Sequence, residues 1–407
     1  MKIAFVYSVS RTFWTYVYRK YSWLEHAEYD VQLGVLLDEP YSFHSGWQPV
    51  FTNRGYECAT VLPGIEPLER AWLQEYGEPK RQAPEGWRVA LEQLARFQPD
   101  IIYNSVSNWY GAGFFEAIRA AVPSLRMLVG YAGSYTYDVE RLNTQDAVVT
   151  CSSEIRDAMV QQGLKAFYVP HAFDTNVNRL LGVLPTPKVN KVVFSGSIVR
   201  RKGAHLERES LLALVARSLP LVAYTSAGKT SSPREAAVWA VLTASARCAL
   251  LLRQSPVTKR LADRSFAIRR LSRIETSPHP LPPVDIRKAV RPAVYALDAF
   301  RLYKAYTVTL NHSGEYRTAE NVRLFESTGV GACLLTDWKQ NLTGYFDLDR
   351  EIVTYKSADE CIEKAQWLLA HQDEATRIGE AARRKCTSFH TFENRVSLLE
   401  PVLTGVA

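Results

Sequence analysis

A chain of 407 residues with 47% hydrophobic and 22% charged residues is long enough for two domains with separate cores. That composition excludes a disordered or fibrous protein. The six cysteines (58, 151, 248, 333, 361 and 386) form no Cys-x-x-Cys pair, so the sequence shows neither a zinc module nor a disulfide framework. The formal charge of +7 is concentrated in one segment. Residues 228–291 hold 13 Lys/Arg against 4 Asp/Glu, an excess of +9 that leaves the rest of the chain at −2. A local basic patch points to an anionic partner such as a membrane surface.

The chain opens on Lys2–Tyr7, too short an apolar run for a signal peptide and suited to a first strand. Further strands are predicted at Val31–Leu37, Glu57–Leu62, Asp100–Val106, Arg126–Tyr131, Ala147–Cys151 and Ala166–Val169. Helical stretches, such as Gly86–Phe97 and Phe114–Ala121, lie between most of them. This alternation predicts an α/β, doubly wound parallel sheet over residues 1–185. The aromatic cluster Phe13–Tyr18 packs a helix or loop on that sheet, and Leu180–Asn190, with Pro185 and Pro187, reads as a linker.

A second alternating series fills 190–388. Val192–Phe194 is a strand, followed by Ser195-Gly-Ser197, Arg200-Arg-Lys-Gly203 and a helix to about Ser218. Later strands are Leu221–Tyr224, Tyr306–Leu310, Ala332–Thr336 and Glu351–Tyr355. The basic insertion 228–291 interrupts the series. Within it Ala236–Leu252 is apolar around a central Arg247, compatible with a buried core helix, an interfacial helix or a membrane span. Pro278, Pro280, Pro282 and Pro283 then form a stiff connector, and residues 389–407 contain a closing helix, Phe392–Leu403.

Two doubly wound domains create a cleft between the carboxyl ends of their sheets, where ligands bind. Gly196 permits close backbone approach after a strand, with Arg201, Lys202 and Arg208 placed to meet phosphate oxygens. Asn311 and His312 end a strand on the same side, and Asn321 stands at a helix start. Arg323 and Glu326 are three residues apart and share one helix face. On the first-domain side the candidate catalytic residues are Asp138, as a general base, and His171, which ends the last strand. No Asp-x-Asp motif stands on a strand end and no histidine pair has metal-ligand spacing, so the expectation is metal-independent chemistry with no cofactor. Ser226-Ala-Gly-Lys-Thr230 lacks the leading glycine of a phosphate-binding loop.

The run Asn321-Val-Arg-Leu-Phe-Glu-Ser-Thr-Gly-Val-Gly-Ala-Cys-Leu-Leu-Thr-Asp337 resembles glycosyltransferases of the GT-B fold, and more narrowly the glycosyl transferases group 1 branch that includes CgeB-like proteins. The resemblance continues through Leu342–Phe346, Glu351–Tyr355 and Ser388–Arg395, roughly the last hundred residues. It implies two Rossmann-like domains facing a cleft, with the last helix crossing back to the first. It places Glu326 at the second glutamate of a Glu-x(7)-Glu motif, on the donor ribose; the first position, 318, is threonine here. It also likens 195–203 to the diphosphate loop of retaining enzymes and Pro170-His-Ala-Phe-Asp174 to the stretch that closes the first domain.

The implied activity is sugar transfer from a nucleotide-diphosphate sugar to a glycan, lipid-linked or other hydroxyl acceptor. The expected location is the cytoplasm, either free or peripheral on the inner membrane face through 228–291. Nucleic acid is not the expected partner. Two alternatives stand beside this reading: a non-catalytic GT-B-like protein that binds an anionic polymer or membrane, and a GT-B nucleotide-sugar epimerase.

Overall fold

The computed structural model describes residues 1–406 apart from 41–45, 78–86, 108–109, 135, 183–187, 199–206, 226–232, 256–257, 260–261, 263–264, 266–267, 269–283, 315 and 319–320. Two six-stranded parallel sheets carry the fold. The first contains β1 (Lys2–Val6), β2 (Glu57–Val61), β3 (Ile101–Asn104), β4 (Met127–Tyr131), β5 (Ala147–Thr150) and β6 (Ala166–Tyr168), in the order β2-β1-β3-β4-β5-β6. The second contains β7 (Val189–Ser195), β8 (Leu221–Thr225), β9 (Val290–Pro292), β10 (Tyr306–Asn311), β11 (Leu334–Asp337) and β12 (Val353–Tyr355), in the order β12-β11-β10-β7-β8-β9. Strands such as Ala147–Thr150 and Tyr306–Asn311 are buried along their whole length, because helices cover both faces of each sheet. This is the two-domain Rossmann-like architecture of the GT-B fold.

Each sheet reverses its winding direction once. In the first, the crevice falls between β1 and β3; in the second, between β7 and β10. Parallel register brings Ser195 opposite Tyr224 and Phe194 opposite Leu310, so the carboxyl ends of β7, β8 and β10 lie side by side.

The closing helix, Phe392–Thr404, starts with a reciprocal Thr391–Asn394 capping box. Its buried face (Phe392, Val396, Leu399, Val402, Leu403) joins the core of the first sheet with Phe5 and Phe51. The chain crosses between domains where the Phe173 N–H donates to the His390 carbonyl at 2.8 Å.

Several sequence expectations change. Val31–Leu37 is not a strand but part of the helix Tyr29–Asp38, whose buried residues Tyr29, Gln32 and Leu36 follow helical spacing. A short apolar run does not by itself separate a buried strand from a helix. The strand β9 and the helix Ala296–Ala305 occupy a stretch that the sequence left without elements. Ala236–Leu252 lies in the helix Pro233–Gln254, yet Val241, Leu250, Leu251 and Leu252 are exposed, so it is not a buried core helix. Among the described residues, no helix is long and apolar enough to cross a membrane. Arg201, Lys202, the 226–230 loop and the proline connector at 278–283 lie outside the described residues.

Candidate active site

The site is built on the switch point of the second sheet. β7 ends in Ser195, and Gly196 follows. A methyl group on Gly196 would stand 3.1 Å from the Phe194 ring and 3.3 Å from a terminal nitrogen of Arg323. Glycine here lets the guanidinium lie against the backbone without being displaced by a side chain. Gly196, Tyr224, Ala296, Tyr303, Arg323 and Glu326 line a cavity of about 340 Å³, and Thr12 and Pro40 of the first domain complete its wall. The cavity therefore opens between the two domains.

Arg323 and Glu326 lie in the helix Arg323–Gly329, which faces this cavity while Leu324 and Phe325 anchor it in the core. The Arg323 Nε–H donates to the Tyr303 hydroxyl at 3.2 Å, leaving the two terminal nitrogens directed toward Gly196. Burial works against the Arg323 charge, but Tyr303 and Glu326 more than offset it and hold the group firmly protonated. Burial raises the Glu326 carboxyl above its ordinary value, and Arg323 offsets only part of that. No hydrogen bond to the Glu326 carboxylate is made among the described residues, and an incoming hydroxyl donor would relieve its desolvation.

Asn321 organises the approach to this helix. Its amide donates to Asn311 Oδ1 at 3.2 Å and to Ser313 Oγ at 3.3 Å, and its Oδ1 accepts from the Leu324 N–H at 3.3 Å. Asn311, fully buried at the end of β10, donates to Thr336 Oγ1 at 3.0 Å. These amides fix the strand end to the helix and leave the cavity to Arg323 and Glu326.

Arg208 is buried and bridges the two strand ends. It donates to the Ser197 carbonyl at 2.8 Å and to the His312 carbonyl at 2.5 Å, and it lies over the Phe194 ring. Burial first, and then repulsion from Arg323, lowers its pKa to about 10, so it still carries its charge at neutral pH. Two guanidiniums thus add positive potential at one crevice.

The remaining predicted residues stand elsewhere. His312 accepts the Gly314 N–H on Nδ1 at 3.0 Å and lines a neighbouring cavity of about 640 Å³ beside Trp338 and Lys356. Burial lowers its pKa. Asp138 is exposed; it caps the helix Val139–Leu142 and pairs with Arg141 at 3.2 Å. His171 is buried just before the crossing at Phe173, and burial lowers its pKa to about 3, so it is neutral at physiological pH. Neither Asp138 nor His171 lines the Arg323–Glu326 cavity.

Two contributors were not found in the sequence. Tyr303 orients Arg323, and its hydroxyl also engages Ser195. Ala296, buried at the cavity wall, has φ of 55°, a left-handed conformation that costs a non-glycine residue about 1–2 kcal/mol. No local pattern announces either. A tyrosine in an amphipathic helix and an alanine at a helix start are both commonplace.

Residues 264–400, about a third of the chain, match a family model described as glycosyl transferase-like. No curated protein sequence matches the chain. Among solved structures, the chain resembles an alpha-glucosyltransferase in complex with UDP-glucose and DNA containing an abasic site, at 11% identity and TM-score 0.57, covering 99% of each chain. It also resembles a glycosyltransferase from Rickettsia africae, at 9% identity and TM-score 0.52, covering 100% of this chain and 98% of the other. A third is Anabaena HepE in complex with UDP-glucose, at 12% identity and TM-score 0.50, covering 100% and 99%. The chain thus has the GT-B architecture along its length, and its residues 264–400 match the glycosyl transferase-like family model.

Proposed function

We propose that the inter-domain cavity binds a nucleoside-diphosphate sugar and that the enzyme passes the sugar to a hydroxyl acceptor held on the first-domain side, without a metal ion. The observation that carries this reading is the pairing of Arg323 and Glu326 on one cavity wall, with a glycine-permitted approach to the strand end. A carboxylate without a donor suits the vicinal hydroxyls of a ribose. The Arg323 terminal N–H groups suit the oxygens of a diphosphate, whose charge grows as the glycosidic bond breaks. Arg208 adds to the field while holding the strand ends. Uridine is the first nucleoside to test, because UDP-glucose is the ligand in two of the similar structures. The acceptor is proposed to be a glycan or a lipid-linked sugar, and the basic segment 228–291 supports an anionic carrier. The narrower CgeB-like placement belongs to the same reading, supported by the Asn321–Arg323–Glu326 arrangement.

The test is thermal unfolding with UDP, GDP and ADP in separate runs, in buffer containing EDTA. One nucleotide should stabilise the chain by about 2.7 kcal/mol when present at about 100 times its dissociation constant. Glu326→Ala should reduce that shift. Stabilisation by none of the three, or an equal shift in the variant, would refute the proposal.

A further inference from the structure

Tyr303, which orients Arg323, stands near the end of the helix Ala296–Ala305. That helix has no side-chain cap of its own; Tyr295 at its N-cap position makes none. The cap comes from the other domain. Glu39, at the end of the helix Tyr29–Asp38, accepts the Leu297 N–H on Oε2 at 3.3 Å. Its Oε1 accepts from Lys20 Nζ at 2.7 Å and from the Tyr21 hydroxyl at 2.8 Å. Glu39 is 4% exposed, so this carboxylate is a buried junction between domains rather than a surface pair.

Neighbouring contacts share the same seam. Lys20 reaches Asp298 at 3.2 Å, and the Tyr16 hydroxyl donates to Asp298 at 2.8 Å. The Tyr16 ring also meets the Tyr295 ring edge-on, with centroids 5.6 Å apart. A second observation marks the same spot. Ala296, between the N-cap residue and the capped amide, is the residue held in the left-handed region, and it lines the donor cavity. Strain at a cavity wall persists only where its surroundings over-determine it. Here the surroundings include a carboxylate from the opposite domain.

We propose that Glu39 is a positioning residue that makes the donor grip depend on the seating of the first domain. When the domains meet, Glu39 fixes the first turn of the helix Ala296–Ala305 and stabilises the strained Ala296. The helix then presents Tyr303, which aligns Arg323 against Gly196. When the domains part, the cap is lost, the first turn relaxes and the guanidinium loses its alignment. Donor affinity and domain closure are thereby coupled through one hydrogen-bonded path. This rests on the reading of the cavity as the donor site.

The experiment uses the full chain and titrates UDP, GDP and ADP by calorimetry. Glu39→Gln keeps the volume but leaves one acceptor oxygen for three donors, and it should weaken nucleotide binding by about fivefold or more. Adding Ala296→Gly removes the left-handed strain and should return affinity to within about twofold of the parent. Such a rescue would not follow if Glu39 served only to pack the interface. A Glu39→Gln affinity within about twofold of the parent overturns the proposal, as does a loss that Ala296→Gly does not recover.

Should Glu39→Gln not fold, hydrogen exchange on the parent chain carries the test. Bound nucleotide should slow exchange at 33–40 and at 295–303 together. Protection confined to the second domain overturns the proposal. A parent chain that binds none of the three nucleotides refutes the donor-site reading instead, and the two failures are thus distinguishable.

Discussion

The two sheets share strand number and direction, and each has one switch point, yet their carboxyl ends are chemically opposite. At the first crevice the polar groups satisfy one another. The Ser8 N–H donates to Ser105 Oγ at 3.3 Å, and Asn104 donates to the Val129 carbonyl at 3.0 Å and to Gln145 Oε1 at 2.9 Å. Ser107 donates back to Asn104 Oδ1 at 2.9 Å. That network is neutral and closed. At the second crevice Arg208 and Arg323 bring two positive charges, and Glu326 brings a carboxylate with no hydrogen-bond donor among the described residues. Topology fixes where a crevice falls, and the side chains at its lip decide which one can hold a charged ligand.

The most damaging way to break this asymmetry is to remove its charge. Arg323→Met keeps the length of the side chain and loses the guanidinium. Charge-assisted hydrogen bonds contribute about 1.5–3 kcal/mol each, so affinity for a nucleoside diphosphate should fall by roughly 10- to 100-fold. Calorimetric titration measures this directly. The chain should keep its fold, because the methionine stem can fill the space over Gly196. Unchanged affinity would mean that the second crevice is no more suited to phosphate than the first.

A gentler change displaces the charge without deleting it. Gly196→Ala places a methyl 3.3 Å from an Arg323 terminal nitrogen and 3.1 Å from the Phe194 ring. The guanidinium is the more mobile neighbour and should shift by a few tenths of an ångström. Affinity should drop by about three- to tenfold, corresponding to part of one hydrogen bond. Combining Gly196→Ala with Arg323→Met should cost little beyond Arg323→Met alone, because both act on the same contact.

Much of the fold was legible because its strands are covered on both faces and appear as short apolar runs at regular spacing. Val31–Leu37 misled for the same reason: its side chains are buried on a helix, and five to seven apolar residues carry no decisive period. The three-residue β9 ends in a proline at the sheet edge and overlaps the end of the basic segment, so no apolar run marked it. In the cavity, the pairing of Arg323 with Glu326 was legible because three residues on a helix are one turn apart. The support for Arg323 was not. Tyr303 is 20 positions away, and the Glu39–Leu297 contact spans 258 positions. Separations of that size leave no trace in local spacing. His312 shows the reverse limit: it follows a strand end beside the site, yet its side chain lines the neighbouring cavity, because the residue after a strand can turn to either side.

The smallest expected effect on binding is the sharpest test of the contrast between the sheets. Asn104→Ala removes the centre of the neutral network at the first crevice. Val129 keeps its place in the strand, but Gln145 Oε1 and the Ser107 hydroxyl each lose a buried partner. Leaving such groups unsatisfied costs about 1–3 kcal/mol of stability, which a denaturation curve should register as a lower midpoint with unchanged slope. Nucleotide affinity should stay within about twofold of the parent, since additivity holds between sites with no shared partners. A large loss of affinity would place the first crevice in the donor site despite its lack of charge. A loss of stability alone would confine its polar groups to holding strand ends together, leaving ligand charge to the other sheet.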